Sequence, residues 1–345
     1  MSENVFFFGS GFSKSIINEY PTLYELSNDI TKMFENDNSA IGKHYKDEIP
    51  KKFHNNIETL LSYLLIDFPY KKADEKLIDK ALYKNIINKI SNYFHNLNEK
   101  FIISSEKREI IDRDDVNKFA QYILEKNCTC ITLNYDILLD NILYFTKGGD
   151  YIGNNKLSTF YKIPIEHLSE RGNGYYYAGM SFGSAGPFDV NKNMVPSIIK
   201  LHGSINWLYS EYVNNQIYFN DWRWSEFKSV DIEPFIIPPV LDKSSLYNNT
   251  ILIALWRQAF EAIQNAKNIY IYGFSFPETD YSIKFLFQSA LKDRDDYQIY
   301  VINTNKNLDN LKNKYNTIFD EKFCNYDCCI EYNQLSKMID MILQV

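Results

Sequence analysis

The chain predicts an α/β fold: a doubly wound, mostly parallel sheet with a helical insertion subdomain. Three observations carry that reading. Short apolar runs at 5–8, 128–133, 198–201, 269–272 and 298–302 each break into small or polar residues, as buried strands do at their ends. In the last third of the chain these runs alternate with helical patterns, the signature of parallel strands joined by crossovers. Between the first two runs, residues 23–124 show helical spacing over a length too great for a simple crossover.

Val5 to Phe8 is a continuous apolar run and reads as a central strand; Ser13 is placed to cap a following helix toward Tyr20. Within 23–124, Ile57, Leu60, Leu61, Leu64 and Leu65 recur at helical spacing, as do Ile86, Ile87, Ile90 and Phe94. That block is read as a subdomain beside the sheet and, being unneeded for chemistry, as the expected assembly surface. A strand at 128–133 and a helix at 137–145 follow. Residues 147–196 are rich in Gly, Asn, Ser and Tyr and read as long loops and hairpins, of the kind that carry function. A third strand at 198–201 leads to His202. Trp207 to Tyr218 reads as a hairpin, and Phe235 to Val240 as a short strand among prolines. The remaining expectations are helices at 251–265, 281–291 and 308–315, strands at 269–272 and 298–302, a last strand near 329–332 and a helix from Gln334.

A chain of 345 residues with 45% hydrophobic content has enough apolar surface for one large domain, here taken as 1–345. The net charge of −7, with no Lys/Arg cluster, argues against an extended nucleic-acid surface. No apolar stretch approaches a membrane span, and no basic leader precedes Val5, so a cytoplasmic location is expected. Five cysteines suit reduced thiols. Cys128-x-Cys130 and Cys324-x-x-x-Cys328-Cys329 lack the paired spacing of a zinc site, so no metal is expected.

Four short stretches carry the candidate chemistry. Gly9-Ser10-Gly11 follows a strand, where a turn lets a pyrophosphate approach backbone N–H groups; an ordinary tight turn is the other reading. The dinucleotide fingerprint G-x-G-x-x-G is incomplete, since its third glycine falls on Lys14, and no Walker-type loop occurs. Asn134 and Asp136 flank a tyrosine past the second strand; taken alone, helix capping explains them at least as well as a ligand. His202 is the one histidine at a predicted strand end, with His44, His54 and His95 on polar helical faces and His167 in a loop. It reads either as a structural residue or as a neutral base, with Gly203 leaving room for a substrate. Gly273, Phe274 and Ser275 end a further strand before Asp280, an expected helix cap. Asn303 ends the next strand, where a ribose hydroxyl would bind.

The order of these stretches is more specific than any one of them. Gly9-Ser10-Gly11-Phe12-Ser13, Asn134-Tyr135-Asp136, Lys200-Leu201-His202-Gly203-Ser204-Ile205-Asn206-Trp207 and Gly273-Phe274-Ser275-Phe276-Pro277-Glu278-Thr279-Asp280 together resemble the sirtuin-like superfamily. The resemblance is to its bacterial branch of anti-phage defence proteins, and it runs from Val5 to about Asn303. It implies a Rossmann-like fold and NAD+ as substrate. Gly9, Ser10, Gly11, Phe12 and Ser13 would cradle NAD+, and Asn134 and Asp136 would lie beside the nicotinamide ribose. His202 would be catalytic, while Gly273, Phe274, Ser275 and Asn303 would hold the adenosine half. Protein-deacylating sirtuins carry a four-cysteine module after the histidine; here residues 203–272 contain no cysteine. The resemblance therefore implies an NAD+ hydrolase acting in abortive infection, controlled by a companion defence protein or by homo-oligomerisation. Deacylation, ADP-ribosyl transfer and non-catalytic sensing of NAD+ or ADP-ribose are the alternatives.

Overall fold

The structure, a computed structural model, describes residues 2–103, 110, 112–147, 160–171, 174–182, 196–209, 217–219, 233–237, 249–277 and 280–343. Six strands form one parallel sheet: β1 (Asn4–Phe8), β2 (Thr129–Thr132), β5 (Ser197–Lys200), β9 (Asn268–Tyr272), β10 (Gln298–Asn303) and β11 (Cys324–Cys329). Their spatial order is β11-β10-β9-β1-β2-β5. Strands one to three of this sheet thus run outward in one direction and strands four to six in the other, so the order reverses between β1 and β9. This is the doubly wound Rossmann-like arrangement, and such a reversal opens a crevice beyond the carboxyl ends of the strands.

β1 is buried on both faces, which is why its run is apolar without alternation. Phe6 and Phe8 pack edge-on against Phe119 of α7 (Asp114–Glu125), while Phe7 meets Phe287 of α10 (Tyr281–Ala290). Phe6, Tyr270 and Tyr300 occupy paired positions on β1, β9 and β10 and stack at 4.5 and 4.8 Å between ring centroids. Aromatic pairs of this kind add to simple area burial and fix the register.

Between β1 and β2 lie α1 (Ser10–Ile16), α2 (Leu23–Glu35), α3 (Ala40–Asp47), α4 (Lys51–His54), α5 (Ile57–Leu65), α6 (Ala73–Asn98) and α7. The local signals are ordinary ones. Thr22 and Glu25 form a reciprocal capping box at α2, and Asn56 caps α5 through the Thr59 N–H. The apolar stripes of α5 and α6, including Leu60, Leu64, Ile86 and Ile90, are buried as their spacing predicts. After β2 come the helices α8 (Leu138–Thr146), α9 (Thr250–Asn265), α10, α11 (Leu308–Asn316) and α12 (Gln334–Leu343).

Several expectations need correction. Ser13 is not a cap: α1 begins at Ser10, and Ser13 lies buried within it. The last strand is Cys324–Cys329 rather than 329–332, because an edge strand half open to water carries no continuous apolar run. The stretch read as loops and hairpins contains two strands of a second, five-stranded sheet of order β4-β3-β7-β6-β8. Its strands are β3 (Pro164–Arg171), β4 (Gly174–Phe182), β6 (Gly203–Tyr209), β7 (Ile217–Phe219) and β8 (Glu233–Ile236). The β6–β7 hairpin is present, but the next strand starts at Glu233, and Val240 lies outside the described residues. So do Gly148-Gly149 and Gly172-Asn173. His167 belongs to β3, not to a loop. His54 is no polar-face residue, since its ring stacks on buried Tyr45 at 4.2 Å. Among the described residues, no helix is long and apolar enough to cross a membrane.

Candidate active site

Because all six strands of the main sheet are parallel, the residues that follow β1, β2, β5 and β9 emerge at one edge. One cavity of about 900 Å³ opens there. Gly9, Ser10, Gly11, Ser13, Asn134, Asp136, His202, Gly273, Phe274, Ser275 and Asn303 all line it, although they are scattered over nearly 300 positions of the sequence.

At the point where strand order reverses, the turns after β1 and β9 interlock. Gly9 N–H donates to the Tyr272 carbonyl at 2.9 Å and Gly11 N–H to the Gly273 carbonyl at 3.0 Å. Gly273 has φ of +66°, and a Cβ there would sit 2.2 Å from the Phe12 nitrogen. The glycines are therefore demanded by backbone-to-backbone packing. In the first turn, the N–H groups of Gly9, Gly11 and Phe12 each bond a protein carbonyl. Ser10 and Ser275 place side-chain hydroxyls at the cavity wall. Phe12 is set back from the cavity. Its ring is buried against Phe8 at 4.4 Å and Tyr272 at 5.3 Å, away from the cavity lining.

The turn after β2 holds a directed hydrogen-bond chain. Ser13 Oγ donates to Asp136 Oδ2 at 2.8 Å, and Asn134 Nδ2 donates to Ser13 Oγ at 3.1 Å and to the Gly9 carbonyl at 3.0 Å. Ser13 spends its one proton on the carboxylate, so it must accept from Asn134. The amide orientation of Asn134 follows, leaving its Oδ1 as an acceptor. The capping reading of these residues holds only in part. The Leu138 N–H bonds Asp136 Oδ1 at 3.0 Å, but Asn134 caps nothing and its amide ties α1 to the turn. Asp136 is buried, and desolvation raises its pKa even though nearby Lys200 pulls the other way.

His202 lies two residues past β5 and is 6% exposed. Its carbonyl accepts from the Ile237 N–H at 2.8 Å, and its ring lies 6.4 Å from that of Tyr135. Tyr135 O–H donates to the Ile237 carbonyl at 2.8 Å, so the histidine and tyrosine segments share one anchor. Gly203 is needed for a reason other than substrate room: it has φ of +73°, and a Cβ would fall 2.0 Å from the Phe235 carbonyl oxygen of β8. Asn303 donates to the Phe274 carbonyl at 3.4 Å, and Asp280 sits at the N-terminus of α10 without a side-chain cap bond. Glu278 and Thr279 lie outside the described residues.

Sequence reasoning missed two contributors. The helical block is not remote from the site, because Tyr24 and Leu26 of α2, Glu58 of α5 and Phe94 of α6 line the cavity. Phe94 packs edge-on against Tyr135 at 6.1 Å. Their positions on cavity-facing helical turns had no signal beyond ordinary amphipathicity. The second is Lys200, fully buried beneath the site and paired with Asp140 Oδ2 at 3.2 Å. Its place directly before Leu201-His202 was visible, but its burial was not. The thiols stand apart from the chemistry: burial pushes Cys128 up to about 12 and Cys130 well above the ordinary range, which leaves both unreactive. Among the described residues, no three His, Cys, Asp or Glu side chains converge as a metal site requires.

No known protein-family description matches the chain, and no curated protein sequence matches it. Solved structures do. A structure of a Sir2 enzyme covers 99% of this chain with 93% of its own, at 11% identity and a TM-score of 0.38. A Sir2 homologue in complex with NAD aligns over 99% and 87% at 11% identity and a TM-score of 0.41. A mutant Sir2 homologue with ADP-ribose aligns over 99% and 91% at 12% identity and a TM-score of 0.39.

Proposed function

We propose that the protein is an NAD+ glycohydrolase that cleaves the bond between nicotinamide and ribose. The observation that carries this reading is the meeting of His202, Asn134 and Asp136 in the same cavity as the glycine turns at the strand-order reversal. A dinucleotide laid along the carboxyl edge would set its pyrophosphate near Ser10 and Ser275. Its adenosine would lie toward Asn303, and its nicotinamide ribose toward Asn134, Asp136 and His202. Strands in a sheet are about 4.8 Å apart, so the five intervals of this sheet span roughly 24 Å, enough for an extended dinucleotide.

Nicotinamide leaves a cationic ring as a neutral molecule and needs no general acid. The barrier lies in forming an oxocarbenium-like ribose centre, as in glycoside hydrolysis. The Asp136 carboxylate stabilises that developing charge, Asn134 Oδ1 accepts from the attacking water, and His202 takes the proton from that water or from a ribose hydroxyl. On the resemblance of the four motifs, the setting is anti-phage defence, with NAD+ depletion held in check until infection by self-assembly or a companion protein.

The test is nicotinamide release from NAD+ by purified protein, with and without lysate from phage-infected cells. Release by the wild type and its loss in folded His202→Ala and Asn134→Ala proteins is the expected result. Full activity in His202→Ala overturns the assignment. Binding of ADP-ribose with intact NAD+ in every arm would make the protein a sensor instead.

A further inference from the structure

We propose that Lys200 is a positioning residue for this site: its buried ammonium holds the Asp136 turn and the His202 segment in one geometry and supplies positive charge to the Asp136 carboxylate. The inference rests on the reading of Asp136 as a site residue. Lys200 is fully buried, and an ammonium removed from water carries a cost of several kcal/mol unless paired and fully bonded. Here two of its N–H donors make hydrogen bonds, and a buried carboxylate stands beside it. It donates to the Asp136 carbonyl at 2.6 Å and to Ser204 Oγ at 3.0 Å, and it pairs with Asp140 Oδ2 at 3.2 Å.

The partners explain the placement. Residues 200 and 204 bracket His202, so the ammonium closes a loop around the histidine while gripping the peptide of Asp136. The Ile205 N–H donates to the Tyr135 carbonyl at 3.0 Å and joins the same two segments. Asp140 is itself fully buried, and its other oxygen accepts the Tyr161 O–H, which seals the pair from water. A lysine serving only to pack α8 against β5 would have no reason to spend two donors on the site's own backbone and on Ser204.

The groups that act on the Asp136 carboxyl come from each packed element: Ser13 from α1, Tyr20 before α2, Asp140 from α8 and Lys200 from β5. His202 lines the same cavity. Lys200 favours the ionised carboxylate more than Asp140 disfavours it. Removing both charges together therefore avoids an unpaired buried ion while raising the proton affinity of Asp136.

The experiment compares wild type with the Lys200→Met/Asp140→Asn double variant. The Asp136 carboxyl is followed by carbon-13 NMR of aspartate-labelled protein, its signal identified by loss in Asp136→Asn. The expected result is an upward displacement of the Asp136 titration, with kcat for NAD+ cleavage lowered about 10- to 100-fold and KM little changed. An unmoved titration overturns the proposal, whether or not activity falls. If wild type cleaves no NAD+, the proposed function fails, but the titration still decides the role of Lys200. Should the double variant not fold, Ser204→Ala loosens the ammonium without altering charge. A lower kcat at unchanged KM supports the proposal there, and wild-type kcat overturns it.

Discussion

Asp140 and Asp79 are both buried against a lysine, yet their surroundings differ. Asp140 and Lys200 are 0% exposed, and the ammonium's hydrogen bonds go to the backbone and side chain of the candidate site. Asp79, on α6, meets Lys71 and lies 3.1 Å from His44 Nε2, with the lysine and histidine side chains 9% and 15% exposed. Lys71 otherwise lies over the Tyr63 ring at 3.7 Å. The Asp79 cluster thus staples α3 and α6 to the segment after α5 and ends there. The difference teaches that burial of a charge pair is not a marker of function; what its spare hydrogen bonds hold is the informative part.

Four substitutions sharpen or break that contrast. The largest effect belongs on the site side: His202→Ala should lower NAD+ cleavage by about 10²–10⁴-fold, with the thermal transition unchanged. Asp79→Ala should do the reverse. Leaving Lys71 buried without its carboxylate is expected to destabilise the fold by about 3 kcal/mol in urea titration, with cleavage per folded molecule retained. Equal losses of cleavage in the two variants would erase the distinction drawn here. Gly273→Ala tests whether the switch-point glycine serves packing. Its positive φ and the 2.2 Å approach of a Cβ to the Phe12 nitrogen predict a stability loss of about 2–3 kcal/mol even without ligand.

The smallest effect concerns pH. Burial raises the Asp136 pKa above its unfolded value, so the folded protein binds that proton more tightly. The penalty is absent below the unfolded pKa and grows as pH rises through the folded one. Asp136→Asn should therefore be more stable than wild type at neutral pH, by thermal unfolding, with the gap closing below about pH 4. Cleavage by wild type should fall as the medium is acidified through the raised pKa, and a profile flat across that range would remove Asp136 from the chemistry.

The fold was legible where strands are buried on both faces. Val5–Phe8 and Ile269–Tyr272 have no solvent side, so their apolar runs mark them without structural help. β11 was misplaced because Cys324-Asn325-Tyr326-Asp327 carries polar residues that an edge tolerates. The second sheet was missed because it pairs segments far apart in sequence, β3 with β7 and β6 with β8 among them. Of the candidate site, the positions of His202, Asn134 and Asp136 were readable as polar breaks after strands. The direction of Phe12, inward rather than toward the cavity, was not.

By itself, then, the chain determined which segments become the central strands and which residues emerge at their ends, because burial on both faces writes directly into composition. Only the folded molecule decided what those residues do for one another. That Gly273 abuts Phe12, that Ser13 bridges Asn134 and Asp136, and that Lys200 sits dry beneath them are all contacts between segments a hundred or more positions apart, or between strand ends set side by side. Such contacts arise from how parallel strands are ordered in space, and no local pattern of amino acids encodes that order.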